Sequence, residues 1–315
     1  MRISDPPKQK LVIVVGPTAV GKTETAIRLA KALDGEIISA DSRLFYRGMD
    51  IGTAKPTAEE MDGIPHHLID LANPDETWSL AMFQQAAASA IADINNRGKL
   101  PFLVGGTGQY IRAVTEGWSP PEVSPNAALR LALENLAEGQ GSLWLHQRLA
   151  VLDPPAAQII DHRNIRRTIR ALEVIFQTGQ AFSAQRVRGG SAYDCLYIGL
   201  IRPRPQLYAR VDARIEKMFA DGLVDEARAL LAAGYDTTLP SLSAIGYREA
   251  IQVAQGSMTP QHAIEEMKRV TRIFVRRQAN WFKPNDQQIH WFNLETDPFT
   301  NIRSLVLGFL QEGKK

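Results

Sequence analysis

The octapeptide Gly16-Pro17-Thr18-Ala19-Val20-Gly21-Lys22-Thr23 has the spacing G-x-x-x-x-G-K-T. It sits between an apolar run, Leu11-Val12-Ile13-Val14-Val15, and the segment Glu24–Leu33, whose apolar residues recur at helical spacing. Strand, glycine loop, helix is the setting of a phosphate-binding loop. Backbone amides across Gly16, Thr18, Ala19, Val20, Gly21, Lys22 and Thr23 would surround phosphate oxygens, helped by the positive end of the helix. In this pattern Lys22 reaches the terminal phosphate and the Thr23 hydroxyl holds Mg²⁺.

What is missing narrows the chemistry. Phosphate-loop hydrolases usually hold Mg²⁺ through an Asp at the end of a second strand. Here the strongest second strand, Leu100 to Val104, runs into Gly105-Gly106-Thr107, and no Asn-Lys-x-Asp signature of guanine nucleotide binding occurs. The nearest carboxylate is Asp41, after the apolar run Glu36-Ile37-Ile38-Ser39-Ala40. A diphosphate held by the loop, with other chemistry at a lone Asp, fits this set. Asp41 fits equally as a cap on the following turn, and Thr107 as a turn hydroxyl bonded to its own backbone.

The elements that must position these residues follow from the pattern. Residues 11–120 alternate strands with helices, including a helical pattern over Trp78 to Asn95. That order predicts a parallel sheet with helices on both faces. Ligands of such sheets sit at the carboxyl ends of the strands, where Asp41, Thr107 and the phosphate loop all fall. Three prolines between Ser119 and Pro125 mark a change of texture. The stretch from Asn126 to Gly179 reads helical, and Tyr193 to Leu200 reads as a strand returning to the sheet. The expected organisation is an α/β core of residues 1–119 and 191–315 with an inserted helical lobe, 120–190. A helical C-terminal region starts near Pro205, and Thr259-Pro260 opens a long helix running towards Trp281. The residues after Thr296 give no pattern.

Bulk properties exclude several classes. A chain of 315 residues with 44% apolar content fits one large or two smaller globular units. Cys195 is the single cysteine, which rules out an intramolecular disulfide and a cysteine zinc cluster. His66 and His67 are adjacent, so on a strand they point to opposite faces and cannot chelate one metal together. Met1 to Lys10 has no apolar leader pattern, and no apolar run nears 18 residues. A cytoplasmic protein without a membrane partner is expected.

Net charge is only +2, so any nucleic-acid surface must come from local clusters. Lys268, Arg269, Arg272, Arg276, Arg277 and Lys283 occur with no acidic residue between Met267 and Pro284. At about 100° per residue, Arg269, Arg272, Arg276 and Lys283 share a sector opposite Met267, Val270, Phe274 and Trp281. Arg163, Arg166, Arg167 and Arg170 form a second cluster in the inserted lobe. Each cluster alone reads as a solvated face. Two of them flanking a crevice suit a long anionic ligand.

These residues resemble the bacterial tRNA dimethylallyltransferases. The resemblance runs through Gly16–Thr23, Ile-Ile-Ser-Ala-Asp-Ser (37–42), Tyr-Arg-Gly-Met-Asp-Ile-Gly-Thr-Ala-Lys-Pro (46–56) and Pro-His-His-Leu-Ile-Asp (65–70). It continues in Val-Gly-Gly-Thr-Gly (104–108), Arg-Ala-Leu-Glu-Val (170–174), Ala-Ile-Gly-Tyr-Arg-Glu (244–249) and Thr-Arg-Ile-Phe-Val-Arg-Arg-Gln (271–278). It implies transfer of a dimethylallyl group from dimethylallyl diphosphate to the exocyclic amine of the adenine 3′-adjacent to a tRNA anticodon. By that resemblance Asp41 is the general base, Thr107 supports the reacting centre and Arg210 binds the diphosphate. Ser42, Arg43, Leu44, Arg130, Arg166, Arg167, Arg170, Arg248, Arg272, Arg276 and Arg277 contact the anticodon stem-loop. Mg²⁺ is expected on Thr23, with Asp41 as the available second ligand, and a monomer is expected. Gln109 and Asn280 depart from the family's usual residues. A small-molecule kinase, a prenyltransferase acting on free adenine nucleotides and a non-catalytic RNA-binding protein are the competing readings.

Overall fold

The computed structural model describes residues 8–119, 121, 123–185, 187–188 and 190–312. Met1–Pro7, part of the stretch searched for a leader, and the linker residues Pro120 and Glu122 lie outside them. The first half of the core unit contains β1 (Gln9–Val15), α1 (Lys22–Ala32), β2 (Gly35–Ser39), α2 (Ala58–Met61), β3 (His66–His67), α3 (Leu80–Asn96), β4 (Leu100–Gly105) and α4 (Gly108–Thr115). Then come β5 (Trp118–Ser119), α5 (Ala127–Gln140), α6 (Ser142–Leu152), α7 (Pro154–Ile159), α8 (Ile165–Thr178) and β6 (Val187–Arg188). The chain returns through β7 (Tyr193–Ile201), α9 (Arg204–Ala220), α10 (Leu223–Ala232), α11 (Tyr247–Ala254), α12 (Pro260–Gln278), β8 (Ile289–Asn293) and α13 (Phe299–Gln311).

Six strands pair in the order β3-β2-β4-β1-β7-β8, every pair parallel. β1 is central, and its run Leu11–Val15 is wholly buried, as a parallel strand covered on both faces requires. Its side chains alternate between two cores. Val12 and Val14 join Ala26, Leu29 and Ala30 of α1 with Val211 and Ile215 of α9. Leu11, Ile13 and Val15 join Phe83, Ala87, Ile91 and Ile94 of α3 with Ile111 of α4. The α3 residues recur at intervals of four, four and three, so one helical stripe faces the sheet.

Glu116–Gly190 form a second compact unit. Its helices close over their own core of Leu133, Leu145, Leu149, Ile169 and Leu172. Pairing of β5 with β6 joins the two ends of the unit.

Three elements differ from the sequence reading. β8 pairs with β7 and widens the sheet, though its five residues carry no strong pattern. α13 follows Thr296, burying Ile302, Val306 and Phe309 at helical spacing. α12 begins as expected, with the Thr259 hydroxyl accepting the His262 amide, but it ends at Gln278. Tight turns from Asn280 N–H to Arg277 O and from Trp281 N–H to Gln278 O then redirect the chain, so Trp281 leaves the helical stripe.

Candidate active site

Strand register brings three loops level at one edge of the sheet. Val15 pairs with Gly105 and Ser39 with Val104, and the Ala40 amide donates to Val104 O. The phosphate loop, Asp41 and Thr107 therefore follow three neighbouring carboxyl ends.

The loop has the backbone its glycines permit. Gly21 has φ 112°, outside the range other residues readily adopt. A Cβ on Gly16 would lie 2.6 Å from Leu200 O, so only glycine lets β1 turn beside β7. Gly21 places no side-chain cap on α1, which leaves the first-turn amides, from Lys22 onward, to an anion. The loop carbonyls are gripped from behind. Arg202 Nε donates to Val20 O at 2.9 Å and Arg210 Nε to Ala19 O at 2.8 Å. Arg210 thus lies beside the loop, with its side chain exposed. Gln278 of α12 accepts the Thr18 amide through Oε1 at 2.8 Å.

A cavity of about 520 Å³ opens over this edge. Its lining mixes polar residues, Thr18, Asp41, Ser42, Thr107 and Arg214, with apolar ones, Val211, Ile215, Met218, Met267 and Phe274. Asp41 Oδ1 accepts the Arg43 amide at 3.0 Å, an Asx turn. Among the described residues nothing donates to Oδ2. One oxygen thus caps the turn, as the capping reading expects, while the carboxylate lines the cavity. Lys22 Nζ rests on Pro17 O at 3.0 Å. Burial pushes the Lys22 ammonium down to about 8, an effect opposed by the Asp41 charge and reinforced by Arg214. Burial also lowers the Arg214 guanidinium, with Asp41 acting against it. The site is therefore a desolvated cationic pocket beside one carboxylate. Sequence reasoning missed Arg214, although it lies one helical turn beyond Arg210. It also gave no role to Gln278, which closes the quoted 271–278 motif.

The residues expected on RNA separate by their partners. Ser42 lines the cavity. The Arg43 guanidinium donates to Pro240 O and Ser241 O at 2.9 and 3.2 Å. Leu44 is half-buried, its carbonyl accepting the Asp70 amide. In the second unit Arg130 and Arg170 both bind the buried carboxylate of Glu173, and Arg163 binds Asp161. Arg166 and Arg167 are exposed and take no side-chain partner among the described residues. Arg248 pairs with Glu249.

The cationic stripe of α12 needs correction. Lys268 pairs with Glu216, Arg269 with Glu266 and Arg272 with Asp212, so much of its charge is neutralised across the α9 contact or along α12 itself. Arg276 stays exposed without a partner among the described residues, and Arg277 lines the cavity. Phe274 and Trp281 line the cavity too; Phe274 is exposed, whereas Trp281, as expected, also packs against the second core. Phe282 beside it is fully in that core.

A glycine loop with open helix amides, a partly buried lysine whose charge is disfavoured by desolvation, and a nearby carboxylate, all on a parallel sheet, define a P-loop α/β transferase. Residues 44–285 match the IPP transferase family, and residues 9–73 match the isopentenyl transferase family. The tRNA dimethylallyltransferase of Roseiflexus sp. (strain RS-1) is 54% identical over 87% of this chain and 90% of its own. That of Herpetosiphon aurantiacus is 47% identical over 95% of each. The crystal structure of the tRNA isopentenylpyrophosphate transferase of Bacillus halodurans superposes with a TM-score of 0.72 at 44% identity, covering 97% of this chain and 98% of that one. The chain belongs to the IPP transferase family of tRNA-modifying prenyltransferases.

Proposed function

We propose that the cavity transfers a dimethylallyl group from dimethylallyl diphosphate to the N6 amine of the adenine 3′-adjacent to a tRNA anticodon. The observation that carries this reading is the cavity's lining: Thr18 of the phosphate loop, Asp41, Thr107 and Arg214 share one cavity with the apolar Val211, Ile215 and Met218. Lys22, Arg214 and the loop amides would hold the diphosphate. Val211, Ile215 and Met218 would take the hydrocarbon tail. The adenine would enter flipped from its stack, since its amine is inaccessible within one.

In the transfer, the allylic C–O bond breaks as the N6–C bond forms, and the electron pair leaves on diphosphate. Negative charge grows on the leaving group, so donors aimed at it stabilise the transition state most. The adenine amine is a weak nucleophile because its lone pair is delocalised into the ring. Asp41 would accept an N6 hydrogen bond through its open Oδ2 and take that proton as the new bond forms. Thr107, beside Asp41, would support the reacting centre.

The donor set also fits Mg²⁺. A hydroxyl and a single carboxylate suit an ion that keeps several waters and binds mostly through substrate phosphates. Among the described residues no cluster of three or more His, Cys, Asp or Glu offers a denser metal site. Thr23 would hold the ion, with Asp41 available, and bound Mg²⁺ supplies charge neutralisation at the diphosphate. Arg166, Arg167, Arg276 and Arg277 would meet RNA phosphates. No described helix is long and apolar enough to cross a membrane; a tRNA substrate fits an enzyme acting in the cytoplasm, and we propose that it acts as a monomer.

The test is incubation with dimethylallyl diphosphate and an anticodon stem-loop, followed by mass spectrometry of the RNA. One dimethylallyl group on the adenine 3′-adjacent to the anticodon, with release of diphosphate, is expected. Unmodified RNA together with phosphoryl transfer from labelled ATP would favour a kinase.

A further inference from the structure

The segment 46–56 is the most distinctive stretch of the sequence, yet it brings no titratable side chain to the cavity. Only Gly52 and Thr53 line it. The segment is instead held from outside by a carboxylate on another element. Glu226 of α10 accepts three successive amides: Asp50 N–H at 3.0 Å and Ile51 N–H at 2.8 Å on Oε2, and Gly52 N–H at 3.1 Å on Oε1. Tyr247, the first residue of α11 and fully buried, donates its hydroxyl to the same Oε1. Four donors thus converge on one side chain, a charge-assisted arrangement in which both oxygens are fixed.

The turn those amides begin is rigid at its other end too. The Thr53 hydroxyl donates to Met49 O at 2.6 Å, and the Lys55 amide to Asp50 O at 2.9 Å. The Lys55 ammonium, nearly buried, binds Asp50, Asp70 and Tyr46 O. The Tyr247 ring lies so close to Gly52 that a Cβ there would sit 2.5 Å from the ring. The turn therefore has one position, and that position presents Thr53 O towards Arg214 Nη2 at 3.4 Å. Among the described residues no side chain accepts from Arg214, so this carbonyl is what orients the guanidinium.

We propose that Glu226 and Tyr247 are positioning residues: they set the Gly52–Thr53 wall and, through Thr53 O, aim Arg214 at the diphosphate of the prenyl donor. This rests on the reading of the cavity given above. Neither residue touches substrate. Each acts on the affinity for the donor and not on the nucleobase side, where Asp41 and Thr107 stand.

The experiment compares wild type, Glu226→Gln and Tyr247→Phe in steady-state prenylation, with calorimetric binding of inorganic pyrophosphate in parallel. Glu226→Gln loses the charge and turns an amide donor towards backbone donors. Its KM for dimethylallyl diphosphate should rise about tenfold, the scale of one lost charge-assisted hydrogen bond, while kcat changes under about threefold and the KM for the stem-loop stays level. Tyr247→Phe should raise the same KM about threefold, as loss of one neutral donor implies. A merely structural role would lower thermal stability without this split. If both variants keep the wild-type KM for the donor, or lose kcat with KM unchanged, the proposal is overturned. Should Glu226→Gln fail to fold, Tyr247→Phe decides alone. Weakened pyrophosphate binding in the variants alongside a wild type that prenylates nothing would overturn the transfer reading and leave the clamp standing.

Discussion

Two groups of basic side chains in this molecule meet opposite fates. At the phosphate loop Lys22 rests on a carbonyl, and in the cavity Arg214 rests on another, with no side chain accepting from either among the described residues. Burial lowers the proton affinity of both. In the second unit, Arg130 and Arg170 converge on Glu173, which also accepts the Asn126 amide. Burial alone would raise that carboxyl, but the guanidiniums and the amide hold it down at about 2. Cations left without carboxylates keep their potential for an incoming anion, while those paired around a buried carboxylate tie elements together. A count of arginines in a sequence cluster therefore overstates the surface available to RNA.

The contrast breaks most clearly at Asp41. Asp41→Ala should lower single-turnover prenylation by about 10² or more with stem-loop affinity nearly unchanged, as loss of a general base implies. Undiminished turnover would remove the base role. Glu173→Ala should instead leave chemistry alone and destabilise the second unit by about 2–3 kcal/mol, because two guanidiniums lose a buried partner. Chemical denaturation of variant and parent measures this. The pH sign sharpens the assignment. Glu173 has a folded value depressed from the usual 4.5 to about 2. Its stabilisation is present above about pH 4.5 and is lost as pH falls towards 2.

Lys22 titrates in the opposite sense. Its ammonium, lowered to about 8, loses its proton as pH rises. The kcat/KM for dimethylallyl diphosphate should fall above that pH by up to about tenfold per unit, and Lys22→Arg should flatten the fall because guanidinium stays charged. A profile level to pH 9.5 in the parent would contradict it. The smallest effect separates paired from unpaired arginines within one cluster. Arg166→Ala with Arg167→Ala should weaken stem-loop binding and reduce its salt slope by about 0.7–0.9 per lost phosphate contact. Arg163→Ala, already paired with Asp161, should leave the slope unchanged. Equal slopes in both would merge the two kinds.

How far the site was legible varies with the interaction. The phosphate loop was plain because its function resides in backbone geometry that glycine spacing encodes. Asp41 and Thr107 were placed by their positions after predicted strands, which parallel topology sends to one edge. Arg214 was not seen, although the i, i+4 spacing from Arg210 was present, because nothing local says which face of α9 meets the cavity. On α12 the local charge pattern misled: the acids that neutralise Lys268 and Arg272, Glu216 and Asp212, lie more than 50 residues away on α9. Trp281 reaches the cavity as well as the core because α12 ends at Gln278, three residues before the expected wheel.

By itself the sequence determined the parallel sheet, the phosphate loop and the family, since each rests on local spacing: residues in fixed order along a strand, a turn or a helix. Only the tertiary structure decided which cations remain open, that Glu226 holds the 46–56 segment, and which aromatic lines the cavity. Those outcomes depend on pairing and burial between segments distant in the chain, and local propensity carries no term for a partner that folding alone brings near.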